Sequence, residues 1–134
     1  SDKEELVRLM YLKSISFALN NNFKDAELVA ESALQIAKDN YDWLYQAYLL
    51  DLKARFAIER KEYGIAEALY YESMKHHQVL KCPVGETASW INLALLAKTQ
   101  SQTKKQAKAF EKAMAIAKQR DLTNQISYIN KLRN

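Results

Sequence analysis

The segment Phe23-Lys24-Asp25-Ala26-Glu27-Leu28-Val29-Ala30-Glu31-Ser32-Ala33-Leu34 decides the reading of this chain, because it returns twice at one interval. Forty residues on, Tyr63, Ala66, Tyr70, Ser73 and Met74 stand in the places of Phe23, Ala26, Ala30, Ala33 and Leu34, and forty further on so do Thr103, Gln106, Phe110, Ala113 and Met114. A fixed period in this range marks a helical solenoid, in which no repeat can bury its apolar face alone. Ala26, Ala30, Ala33 and Leu34 share one helical face, where small residues let two helices approach and the leucine fills the gap behind them. The helix before each echo carries a matching stripe at the same period: Met10, Leu50 and Trp90, then Ser14, Ala54 and Ala94, then Phe17, Ala57 and Ala97.

Composition agrees with an all-α chain. With 134 residues, 49% apolar and 27% charged, there is ample material for one packed domain. Two glycines and one proline leave little of the turn chemistry that strand hairpins need. Cys82 is alone, so no intramolecular disulfide can form, which suits a reducing cytoplasm. No run approaches the ~20 apolar residues of a membrane span and no leader pattern opens the sequence, so the expectation is a cytoplasmic protein without a membrane partner. The first residues read as the edge of a domain within a larger protein.

The pattern predicts a single domain over 1–134 with seven helices: repeats at about 4–39, 41–79 and 86–119, and a capping helix at about 122–133. Asn20, Asn21 and Asn22 form the first turn, since asparagine tolerates the left-handed conformation that ends helices. Asp39 or Asn40 is the expected cap of the second pair. Residues 80–85 hold Pro83 and Gly85 and are read as the longest connector, open to a functional role.

These residues resemble the tetratricopeptide repeat family, whose first helix carries a large aromatic, a leucine and a small residue, and whose second carries alanine, an aromatic and alanine. Trp90, Leu93, Ala94, Phe110 and Ala113 come nearest; Phe17, Ala26 and Ala33, and Tyr63, Ala66 and Tyr70, supply the other two repeats. The resemblance implies an all-α, right-handed alpha-alpha superhelix of three helical hairpins plus a C-terminal capping helix, with partners bound on the concave face. The sequence departs from the pattern in its 40-residue period against the usual 34, in Lys13 and Lys53 at leucine positions, and in lacking the closing proline. Longer repeats of this kind look like the helical arms of bacterial transcription regulators and response regulators.

The candidate chemistry is that of binding. His76 and His77 are adjacent and point about 100° apart on a helix, which does not suit one metal. No phosphate loop, acid pair or nucleophile motif is present, so no enzyme activity, cofactor or metal is expected. Carrying the family's groove onto the 40-residue frame places Tyr11, Ile15, Tyr48, Asp51, Arg55, Ile91, Asn92 and Leu95 on the concave side. That set suits a peptide or helix partner and a noncatalytic interaction module of a regulatory or signalling protein. A basic edge, Lys104, Lys108 and Lys112, lies in a stretch (98–120) whose seven Lys and Arg face one acid, Glu111. It keeps open a second reading, a nucleic-acid-associated module, which the interleaved charge of the remaining sequence disfavours. A third is a self-associating scaffold or homodimer, because helix one is apolar nearly all round, as an uncovered end of an array should not be.

Overall fold

The computed structural model describes residues 1–134. All regular structure is α-helical: α1 (Asp2–Leu19), α2 (Phe23–Asp39), α3 (Trp43–Glu59), α4 (Tyr63–Val79), α5 (Pro83–Thr99), α6 (Thr103–Gln119) and α7 (Thr123–Arg133). The 40-residue echo in sequence is thus a 20-residue period in backbone. Five consecutive helices, α2 to α6, have 17 residues each, and every connection has three.

The period comes from one turn used six times. Asn21, Tyr41, Lys61, Lys81, Ser101 and Asp121, twenty apart, all have positive φ, between 52° and 62°. The residue after each donates its N–H back five positions, as from Asn22 to Phe17 at 2.8 Å and from Gln102 to Ala97 at 2.9 Å. The left-handed residue itself donates three positions back, as from Asn21 to Ala18 at 3.0 Å. This is the Schellman closure, which satisfies carbonyls that a helix end leaves open. Its last residue is also the N-cap of the next helix, so there is no room for a linker. Asp42 fills that place best, its carboxylate accepting from the Tyr45 N–H at 3.1 Å.

Three sequence expectations are corrected here. The cap of the second pair is Asp42 rather than Asp39 or Asn40, because α2 runs on through Asp39. Residues 80–85 are no long connector: the turn is the same three residues as elsewhere, and Pro83 opens α5, where its missing N–H costs nothing and its fixed φ suits a helix. Helix α1 starts at Asp2 rather than Glu4, held by a capping box between Ser1 and Glu4.

The chain forms two compact units, residues 1–76 and 77–134. In the first, Ala26, Ala30, Ala33, Leu34 and Ala37 of α2 pack with Val7 of α1 and with Leu49, Leu50, Leu52 and Phe56 of α3. The alanines are 0% exposed, and close approach is visible in hydrogen bonds from side chains of one helix to the backbone of another. Ser14 Oγ donates to the Ala26 carbonyl at 2.7 Å, and Ser73 Oγ to Ala47 at 3.1 Å. In the second unit α6 buries Ala109, Phe110, Ala113, Met114 and Ala117 between α5 and α7, and Ile129 of α7 is fully buried.

One close approach in the second unit is peculiar to its repeat. His77 of α4 is 2% exposed, and a Cβ built on Gly85 of α5 would fall on its imidazole ring. The equivalent positions elsewhere hold Ala37 with Tyr45 and Ala117 with Gln125, a small residue first and a longer one second. Repeat two reverses the sizes.

Both features are testable by thermal or urea unfolding. Lys61→Gly and Lys81→Gly should each stabilise the protein by about 0.5–1 kcal/mol, since a left-handed L-residue costs more than glycine's extra chain entropy; lowered midpoints would contradict the turn geometry. Gly85→Ala should cost about 1–3 kcal/mol by overpacking against His77. In a His77→Ala background the same change should turn neutral or favourable, gaining up to about 1 kcal/mol of helix propensity. Equal effects in both backgrounds would remove the proposed contact.

Candidate functional site

Helix α3 builds the site in the first unit. Tyr48, Asp51 and Arg55 recur at three- and four-residue steps, so they share a face, and the Schellman turns at either end fix where that face points. Beside them Tyr11 of α1 meets two α3 rings, Tyr45 at a centroid distance of 5.7 Å and Tyr48 at 6.0 Å, while Tyr45 and Tyr48 meet edge to face at 5.4 Å. Such packing holds the rings in place, and all three remain half-buried. Further along, Ile15, Ala18, Leu19, Phe23, Leu52, Arg55, Phe56 and Glu59 line a mostly apolar slot of about 250 Å³. Arg55 and Glu59 supply its charged groups.

Asp51 sets the electrostatics. Burial raises its pKa to about 6, against lowering contributions from the Ser73 hydroxyl and the Arg55 guanidinium. The single Ser73 proton is directed at the Ala47 carbonyl oxygen, and Asp51 Oδ1 is buried with no hydrogen-bond donor. Burial also raises Tyr11 and Tyr70; on both phenols Arg55 acts downward and Asp51 upward, which places the four groups in one electrostatic neighbourhood. What results is a face of phenols around a carboxylate whose Oδ1 has no hydrogen-bond donor, with one exposed guanidinium at its side.

Tyr11, Ile15, Tyr48, Asp51 and Arg55 are therefore brought near one another within the first unit. Tyr45 and Tyr70 were not anticipated as members. Tyr45 lies three residues before Tyr48, and Tyr70 stands where the first repeat has Ala30, so its hydroxyl was hidden inside an apolar stripe. In the second unit Asn92 and Leu95 are half-buried on α5, but Ile91 is 4% exposed and belongs to the interior, which removes it from any binding surface. Its place in the frame matches Tyr11 and Asp51, yet an isoleucine there has no polar end to hold toward water and packs inward.

Lys104, Lys108 and Lys112 are exposed along α6, and the Lys112 ammonium lies 5.3 Å from the Trp90 ring, a cation–π contact. Charge is unevenly divided between the units: ten Lys and Arg with thirteen Asp and Glu in 1–76, ten with three in 77–134. No three His, Cys, Asp or Glu side chains converge as a metal site would require, and no helix is long and apolar enough to cross a membrane.

The Asp51 environment has a pH signature. Its carboxyl holds a proton more tightly folded than unfolded, so its contribution to stability declines as pH rises from about 4 through about 6. Asp51→Asn should remove roughly 2–3 kcal/mol of that decline, a shift of about two units at 1.36 kcal/mol each. Urea midpoints of both proteins at pH 4 and pH 7 measure it; identical pH slopes would contradict the burial of the carboxylate.

No protein-family model and no curated protein matches the sequence. The fold is similar to that in the crystal structure of BtubC (BKLC) from P. vanneervenii, with a TM-score of 0.79 and 18% identity over 98% of this chain. The chain spans 57% of that protein, and at this identity the likeness is one of fold: an all-α helical repeat.

Proposed function

We propose that this chain is a noncatalytic protein-interaction module of the tetratricopeptide-like type, part of a larger cytoplasmic regulatory or signalling protein. It takes a peptide or helix on the tyrosine-lined face of α1 and α3, and a basic group or N–H of the ligand completes Asp51. The observation that carries the reading is Asp51 Oδ1, withdrawn from water and left without a donor among phenols. A buried acceptor without a partner is costly, so a ligand that donates to it gains more than it would at the surface. Tyrosine and arginine are also the residues that dominate interface energetics, and Tyr48 and Arg55 flank that carboxylate on α3. The adjoining slot, with Ile15 and Phe56 in its wall, suits an apolar side chain next to the basic one.

A second reading rests on the excess of basic over acidic residues in 77–134, which favours an acidic ligand such as nucleic acid along Lys104, Lys108 and Lys112. Selection from a random peptide display library on the purified protein separates the two. Recovered peptides should carry Lys or Arg beside an apolar residue, and Tyr48→Ala and Asp51→Asn should each weaken them at least tenfold, about 1.4 kcal/mol, with helical content intact. Lys104→Glu and Lys108→Glu should leave affinity unchanged. Acidic peptides, a steep loss of binding with salt, and loss on the lysine variants instead would sink the first reading and support the second.

A further inference from the structure

The 40-residue period makes positions in α1 and α3 equivalent, so the surroundings of a residue in one can be compared with those of its counterpart in the other. In α3, Leu49 and Leu52 are 0% and 5% exposed because they pack on the alanine stripe of α2, and Lys53 Nζ reaches Glu31 Oε2 of α2 at 2.8 Å. Forty residues earlier the same three residue types stand in α1 as Leu9, Leu12 and Lys13. There Leu9 is 53% and Leu12 52% exposed, and the Lys13 ammonium rests over the Phe17 ring of its own helix, 5.8 Å from the centroid. In the second unit the same place is held by Ile129 of α7, which is fully buried where α7 packs on α6. Where this position follows a helix of the α2 or α6 kind within its unit, it is covered. In α1 it carries the same chemistry and faces solvent.

We propose that Leu9, Leu12 and Lys13 form a docking surface for an amphipathic helix whose alanine-lined stripe and flanking glutamate repeat what α2 presents to α3. The occupant's chemistry follows from the interface already formed inside the chain. Alanines at steps of four, three and four, as in Ala26, Ala30, Ala33 and Ala37, admit leucines to close range. A glutamate one position after the second alanine, as Glu31 follows Ala30, meets the lysine. A stripe of bulky residues would hold the helix off, and a basic residue in place of the glutamate would repel Lys13. This surface lies on the outer side of α1 and is independent of the Asp51 face.

The probe is a capped, fluorescein-labelled 17-residue peptide of the α2 sequence, Phe23–Asp39, titrated into the full 134-residue protein. Saturable binding with a gain of helical circular dichroism is expected. Leu9→Asp with Leu12→Asp should lower affinity at least tenfold while the protein's own helical content is unchanged, since both side chains already face solvent. Lys13→Glu should weaken the peptide several-fold, and a peptide carrying Glu31→Lys should recover that loss against the Lys13→Glu protein and not against the unsubstituted one. Three results would overturn the proposal: no binding at millimolar peptide, binding indifferent to the leucine substitutions, or sedimentation showing a dimer that the same substitutions dissociate, which would make a second copy the occupant.

Discussion

Each of the six turns compresses a helix end and the next helix start into three residues by placing the middle one in the left-handed region. None of these positions is glycine, so each carries a conformational cost of about 1–2 kcal/mol. The closure of two helix carbonyls and the burial of alanine-lined faces offset it, and those gains are available only when neighbouring helices lie in the registers the turn dictates. Helix length and turn length are thereby locked to a sum of twenty, and the equivalence of Leu9 with Leu49 and of Ala26 with Ala66 follows from that lock.

Close approach is the second condition, and it too bears on function. Alanine and serine on the inner faces bring helices near enough for Ser14 and Ser73 to reach the backbone of a neighbouring helix. With the small residues inside, the large polar ones of α1 and α3 are left for the other face, where Tyr11, Tyr45 and Tyr48 support one another. Asp51 is half-buried on that face because the tyrosines and α4 crowd it, which is why its carboxyl titrates near 6 rather than near 4.

Much of this was legible in the sequence, for a definite reason. Apolar periodicity is strong wherever helices bury a stripe, so seven helices and the buried equivalence of Leu34, Met74 and Met114 could be read directly. Turn chemistry was legible only at Asn21, since Tyr41, Lys61 and Lys81 are not residues that announce a left-handed conformation. Pro83 misled because proline both breaks a helix and begins one, and the sequence does not say which until the turn before it is placed. For the site, helical phase puts Tyr48, Asp51 and Arg55 on one face of α3. It could not foresee Ser73 sending its proton to Ala47, which depends on the packing of α4 on α3.

A chain whose backbone repeats every twenty residues faces a hazard while folding, because one helix can settle against the counterpart of its true neighbour and bury nearly the same surface. The exchange of sizes at His77 and Gly85 breaks that equivalence at one place. After a slip by one repeat the imidazole would face Tyr45 or Gln125, longer side chains than the glycine it packs on, and Gly85 would face Ala37 or Ala117, smaller than the histidine that fills its space. Neither pairing repeats the fit of His77 on Gly85, so one glycine and one histidine distinguish the second repeat from two others that share its backbone.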